Sequence, residues 1–211
     1  MSKELRDILL KEDRKELNKA ANRIAKSKRE KTIIFTAHTL AEKLVSDMIA
    51  TRLVQPHEWL DDADYLSKIK LAKALGILGQ KEYSICRVLA LARSAFKSAN
   101  SLPQKCKTEI LRIAYAHFKR EPPRIGSHTP FEEVVRVLLA ILSARWLEVR
   151  FKKKVYDLRR RYRHRWSSLM KKTLWANLDL LALDADSPEN QRAVEQVDIE
   201  LVKRLRAEKK L

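Results

Sequence analysis

Two pairs of residues in this 211-residue chain have the types and spacing to attempt acid–base chemistry on a phosphodiester, which needs a cation for the phosphate and an imidazole to carry the proton, and a third stretch keeps the spacing without the imidazole. In LARSAFKS, Leu91 to Ser98, an arginine is followed five positions on by a serine where a histidine would complete the couple. RIAYAH carries Arg112 and His117 five apart, and Arg159 with His164 repeats that spacing. With 21 Arg and 5 His in the chain, about one or two such pairs arise by chance, so spacing alone assigns no role. His38 flanks an apolar stripe and His57 and His128 lie in loop sequence, with no carboxylate or ligand spacing linking them. Cys86 and Cys106 lack C-x-x-C spacing and read as two reduced thiols. Gly76, Gly79 and Gly126 are scattered, which excludes a P-loop and a dinucleotide fingerprint, and no cofactor is expected.

The other chemistry is attraction. Lys plus Arg number 45 against 27 Asp plus Glu, a net charge of +18, which draws a protein towards nucleic acid or another polyanion. The excess is concentrated: Arg150 to Lys172 holds eleven basic residues and one acid, Asp157, giving +10. An apolar seam of Val155, Leu158, Tyr162, Trp166 and Leu169 predicts one docked side, with Lys152, Lys153, Lys154, Arg159, Arg160, Arg161, Arg163 and Arg165 spread over the rest. Tyr156, Tyr162 and Trp166 read as packing residues at helical spacing. No base-reading pattern is present, so attraction and not sequence specificity is expected.

These residues must be positioned by helices. Leu, Ala, Lys, Arg and Glu dominate and glycine is scarce, so an all-α fold is expected, a helical bundle flanked by long helices. Residues 2 to 31 form a charged helix with a thin stripe of Leu5, Ile8, Leu9, Leu17, Ala20, Ala21 and Ile24. Thr32 to Leu53 is a buried helix through Ile34, Ala37, Ala41, Leu44 and Met48. A shorter helix has Leu66, Ile69, Leu71, Ala74 and Leu75 as its apolar positions, and Gly76 supplies the left-handed residue after it. Gln80 to Ala99 buries Tyr83, Cys86, Leu89, Ala92 and Phe96, leaving Arg93 on the flank. Pro103 starts the next, and REPPRIGSHTP, Arg120 to Pro130, marks a boundary.

Thr129, Pro130 and Glu132 form a helix start. A single helix from Phe131 to Trp175 would be roughly 65 to 70 Å long, so it either breaks, at Ser167 and Ser168, or projects. Ser187 and Pro188 begin a last helix through Ala193, Val194, Val197, Ile199, Leu201, Val202 and Leu205. The resulting organisation is 1–31 charged helix, 32–120 bundle, 130–211 basic helical region. No apolar run reaches membrane length and no leader pattern is visible, so a cytosolic, membrane-free protein is expected.

The block Tyr65 to Ser98 resembles the HEPN-type helical bundles, and among them most closely the mannitol operon repressor family. Ser67 to Lys70 introduce a helix closing on Ala74, Leu75 and Gly76. Glu82 and Tyr83 open the next, and Arg93 and Phe96 fall where the family has Arg-Asn-x-Phe-Ala-His. In ribonuclease members the motif's arginine and histidine form the active site across a dimer interface, so the resemblance also implies a homodimer. Here Ser94 replaces the Asn and Ser98 the His, and a serine without a base cannot move protons as imidazole does. The expectation is therefore a non-catalytic regulator or accessory protein contacting nucleic acid through Lys152 to Arg165. The alternatives are a metal-independent ribonuclease, a toxin or defence effector, using Arg112 and His117, or a protein-binding adaptor.

Overall fold

The computed structural model describes residues 3–53, 59–99, 101–117, 130–176 and 187–211. These are helical throughout, with no strand among the described residues: α1 Lys3–Leu9, α2 Lys11–Ala25, α3 Glu30–Arg52, α4 Trp59–Asp62, α5 Tyr65–Ala74, α6 Gln80–Ser98, α7 Gln104–His117, α8 Phe131–Arg161, α9 Arg163–Ala176 and α10 Pro188–Ala207. The all-helical expectation holds, for the reason the composition supplies. Residues 2 to 31 are not one helix, however, because the chain turns at Leu10, and α3 begins at Glu30.

Two compact units emerge, Asp13–Arg150 and Met1–Glu12 with Phe151–Leu211, so the divisions fall inside α2 and α8. They cut across the expected boundaries at 31/32 and at the Arg120 to Pro130 linker, which lies outside the described residues apart from Pro130.

In the first unit α3 is the central helix. Ile33, Ile34, Ala37, Ala41, Leu44, Val45, Met48 and Ile49 are buried, and α3 packs against α6 and α5 while α6 also holds α5 and α7. Val134, Val135, Leu138, Leu142 and Trp146 of α8 complete the same core. Each of the larger aliphatic side chains contributes roughly 1.5 to 3 kcal/mol on burial. The indole of Trp146 donates from Nε1 to Asp47 Oδ2 at 2.6 Å, satisfying the one polar atom that its burial would strand.

The α5 connection is fixed at both ends. Asp64 caps α5, accepting from the Ser67 hydroxyl at 2.7 Å and the Ser67 N–H at 3.0 Å, which hold its carboxyl below the usual range. After α5, Gly76 takes φ +66°, with Gly76 N–H bonded to Lys73 O and Ile77 N–H to Ala72 O, the Schellman closure. Arg145 braces this turn, donating from Nε to Ile77 O at 2.7 Å and from Nη2 to Gly76 O at 3.3 Å.

One face differs from the expected one. The buried residues of α5 are Tyr65, Lys68, Ile69 and Ala72, while Leu66 and Leu75 are 45% and 39% exposed. Counting apolar residues misplaced the stripe because a lysine and a tyrosine share the inner face.

The second unit gathers α1, the second half of α8, α9 and α10. Its buried residues include Leu5, Leu10, Phe151, Leu158, Leu169, Val197, Leu201, Val202 and Leu205, and α10 packs against α9 and α1. Ser187 caps α10 by accepting from Asn190 N–H at 3.2 Å, with Pro188 first in the helix as the sequence indicates.

Candidate nucleic-acid interface

The basic segment is nearly one rod. α8 ends at Arg161 and α9 begins at Arg163, so the interruption is the single residue Tyr162 and not Ser167 or Ser168, which lie within α9. The hydrogen-bond ladder survives the change: Tyr162 N–H reaches Leu158 O at 3.0 Å and Trp166 N–H reaches Tyr162 O at 2.9 Å. Helical phase is therefore kept, and Val155, Leu158 and Leu169 of the seam are buried, with Tyr162 and Trp166 half-buried.

Carboxylates of α10 and of its C-cap residue neutralise part of this rod. Arg159 donates from Nε to Asp198 Oδ1 at 2.9 Å and from Nη2 to Oδ2 at 2.5 Å, while Trp166 Nε1 reaches the same Oδ1 at 2.9 Å. Asp198 is only 1% exposed, and its hydrogen bonds raise the guanidinium's pKa above the ordinary value. Arg165 Nη1 donates to both Glu208 oxygens, at 2.7 and 2.5 Å. That bond, followed by Lys210, pulls the Glu208 carboxyl down to about 2. Lys153 pairs with Asp157 at 3.1 Å, and Lys154 donates to Leu9 O at 2.9 Å. Lys152 is exposed and also has an interaction of its own.

Arg160, Arg161 and Arg163 remain. All three are exposed and have no acidic partner among the described residues. Helical spacing sets Tyr156, Arg160, His164 and Lys171 on the side opposite the seam, with Arg163 and Arg161 on its two flanks. Tyr156 is 59% exposed, so it is not the packing residue its spacing suggested, and Lys153 Nζ stands 5.8 Å from its ring centroid. Guanidinium groups along such a face can neutralise successive backbone phosphates, and an exposed ring among them can meet a base or sugar. The sequence reading gave Lys171 and His164 no place in the interface, although their turn-by-turn spacing with Arg160 was the available signal.

Arg112 is exposed and forks onto Glu109 of its own helix at 2.8 and 2.7 Å, while the side chain of His117 lies outside the described positions, as do His57 and His128. Ser98 ends α6, its side chain likewise undescribed. Arg93 instead meets a histidine the sequence never linked to it: Nη1 donates to His38 Nδ1 at 2.9 Å. Arginine has no acceptor, so His38 must be neutral at Nδ1 with its hydrogen on Nε2. Glu42 Oε2 lies 3.7 Å from both, and the His38 ring packs edge-on to Tyr65 at 4.5 Å. Burial raises the Tyr65 hydroxyl well above its usual range and the Cys86 thiol to about 12, leaving that thiol a poor nucleophile. Among the described residues no group of three or more His, Cys, Asp or Glu is placed to hold a metal ion, and no helix is long and apolar enough to cross a membrane.

No family model and no curated protein matches the sequence. Among solved structures, one of the MtlR–HPr complex from Escherichia coli is similar with a TM-score of 0.43 and 14% identity, over 65% of this chain and 97% of that one.

Proposed function

We propose that this protein is a non-catalytic regulatory or accessory protein that contacts nucleic acid through the basic face of α8 and α9. The carrying observation is that Arg160, Arg161 and Arg163 stand exposed on a hydrogen-bonded helical rod with no described carboxylate beside them. In this reading those three contact phosphates directly, with Lys152 and Lys153 extending the track. Arg159, Arg165 and Lys154 hold the rod to its own unit. Contacts to phosphate carry no sequence information, so binding is non-specific unless a further element reads bases.

Filter binding of the full chain to duplex and single-stranded oligonucleotides across a salt series tests the proposal. Affinity should fall linearly on a log–log plot as counterions are released. Affinity without a salt slope, or no binding at low salt, overturns it. The homodimer implied by the resemblance is part of the same reading, and light scattering of the purified protein decides it.

A further inference from the structure

Lys68 projects from the inner face of α5 and is 6% exposed, yet its ion-pair partner among the described residues, Glu42 Oε1, is 3.9 Å away, beyond hydrogen-bond range. Glu42 is equally loose towards its other neighbours, at 3.7 Å from Arg93 Nη1 and from His38 Nδ1. One carboxylate thus stands between a lysine and an arginine without closing on either. Lys68 is a largely buried side chain whose ammonium has only a distant carboxylate, and Arg93 Nε is buried with no hydrogen-bond partner among the described residues, which makes this an incomplete set of partners. Tyr65 Oη adds to the deficit, since it is buried without a well-formed hydrogen bond and its neighbour is the Cys86 thiol, a weak partner. Arg93 and Glu42 are each about one-third exposed, so this cluster reaches solvent. At its rim Arg93 and the exposed Lys31 stand 5.7 and 6.0 Å from the Phe35 ring centroid.

We propose that this cluster on α3, α5 and α6 binds a protonated oxyanion, hydrogen phosphate, with Lys68 and Arg93 donating to its oxygens and Glu42 accepting from its P–OH. The charges call for one more anion, since two cations face a single carboxylate. The carboxylate then selects among anions, because a fully deprotonated one meets repulsion where a P–OH meets an acceptor. Sulfate carries no proton at neutral pH and is disfavoured, although it matches phosphate in size. This site uses none of the residues of the basic rod, so it stands or falls separately from the nucleic-acid reading.

Calorimetric titration of the full chain with inorganic phosphate and with sulfate, at matched ionic strength, tests it. Phosphate should saturate at one per chain and sulfate should bind at least about tenfold more weakly, the worth of one charged hydrogen bond. Lys68→Met and, separately, Arg93→Gln should each weaken phosphate about tenfold or more. Glu42→Gln should bring the two anions level. The two cation variants are independent of each other, so failure of one to fold leaves the other to decide, with circular dichroism as the check. Equal binding of phosphate and sulfate by the unaltered chain overturns the proposal. So does phosphate affinity that survives the loss of Lys68 or Arg93 in a folded variant, or that disappears only when Arg160, Arg161 and Arg163 are removed.

Discussion

Arg159 and Asp198 form a two-pronged ion pair, at 2.9 and 2.5 Å, that ties α8 to α10 across 39 residues of sequence. Removing the arginine leaves a carboxylate that is 1% exposed with, among the described residues, only the Trp166 N–H. Breaking a buried pair costs about 3 to 5 kcal/mol, but Arg159 is itself partly solvated, so Arg159→Ala should destabilise the protein by about 2 to 3 kcal/mol in a denaturant titration. Its effect on nucleic-acid affinity at a temperature where the variant is folded should be small.

Arg160, Arg161 and Arg163 should behave in the opposite way. Replacing all three by alanine should leave stability within about 0.5 kcal/mol of the parent. The slope of log affinity against log salt should flatten by about 2 to 3, if each arginine holds one phosphate. A salt series on the parent and the variant measures both effects.

Glu208 provides a pH test. Its carboxyl is held at about 2 in the folded chain against an ordinary value of 4.5, chiefly by Arg165. A depressed carboxylate stabilises the fold above its unfolded pKa and loses that contribution as pH falls through the folded one. Denaturation midpoints of parent and Glu208→Gln should therefore differ above pH 4.5 and converge as pH falls towards about 2. The pair is solvent-exposed, so about 1 M salt should shrink the difference.

Gly76 tests the α5 closure. At φ +66° a side chain is strained, while nothing within 4 Å would obstruct a Cβ. Gly76→Ala should cost about 1 to 2 kcal/mol from the backbone alone. Gly76→Asn should cost less, because asparagine tolerates this region better. Thermal melts of the two variants rank them.

Much of the helical scheme was legible in the sequence. The buried stripe of α3, the Gly76 closure, the Ser187 cap and the seam through Val155, Leu158 and Leu169 all follow from local spacing and local chemistry. Where reading went astray, a polar residue took an inner position. Lys68 and Tyr65 share the inner face of α5, and periodicity counted from apolar residues slid the stripe onto Leu66 and Leu75. The break at Tyr162 was equally hard to see, because the backbone ladder passes through it with no proline or glycine to mark it.

The sequence by itself determined that this chain is helical and that its positive charge is massed between Arg150 and Lys172, since both depend on residue type and spacing along one strand of chain. Only the tertiary structure decided which of those charges are available. Asp198 and Glu208 lie 39 and 43 residues from the arginines they neutralise, and His38 lies 55 from Arg93. Pairing of that kind is set by how helices pack, because Coulomb attraction and hydrogen bonding act over a few ångströms of space whatever the separation in sequence.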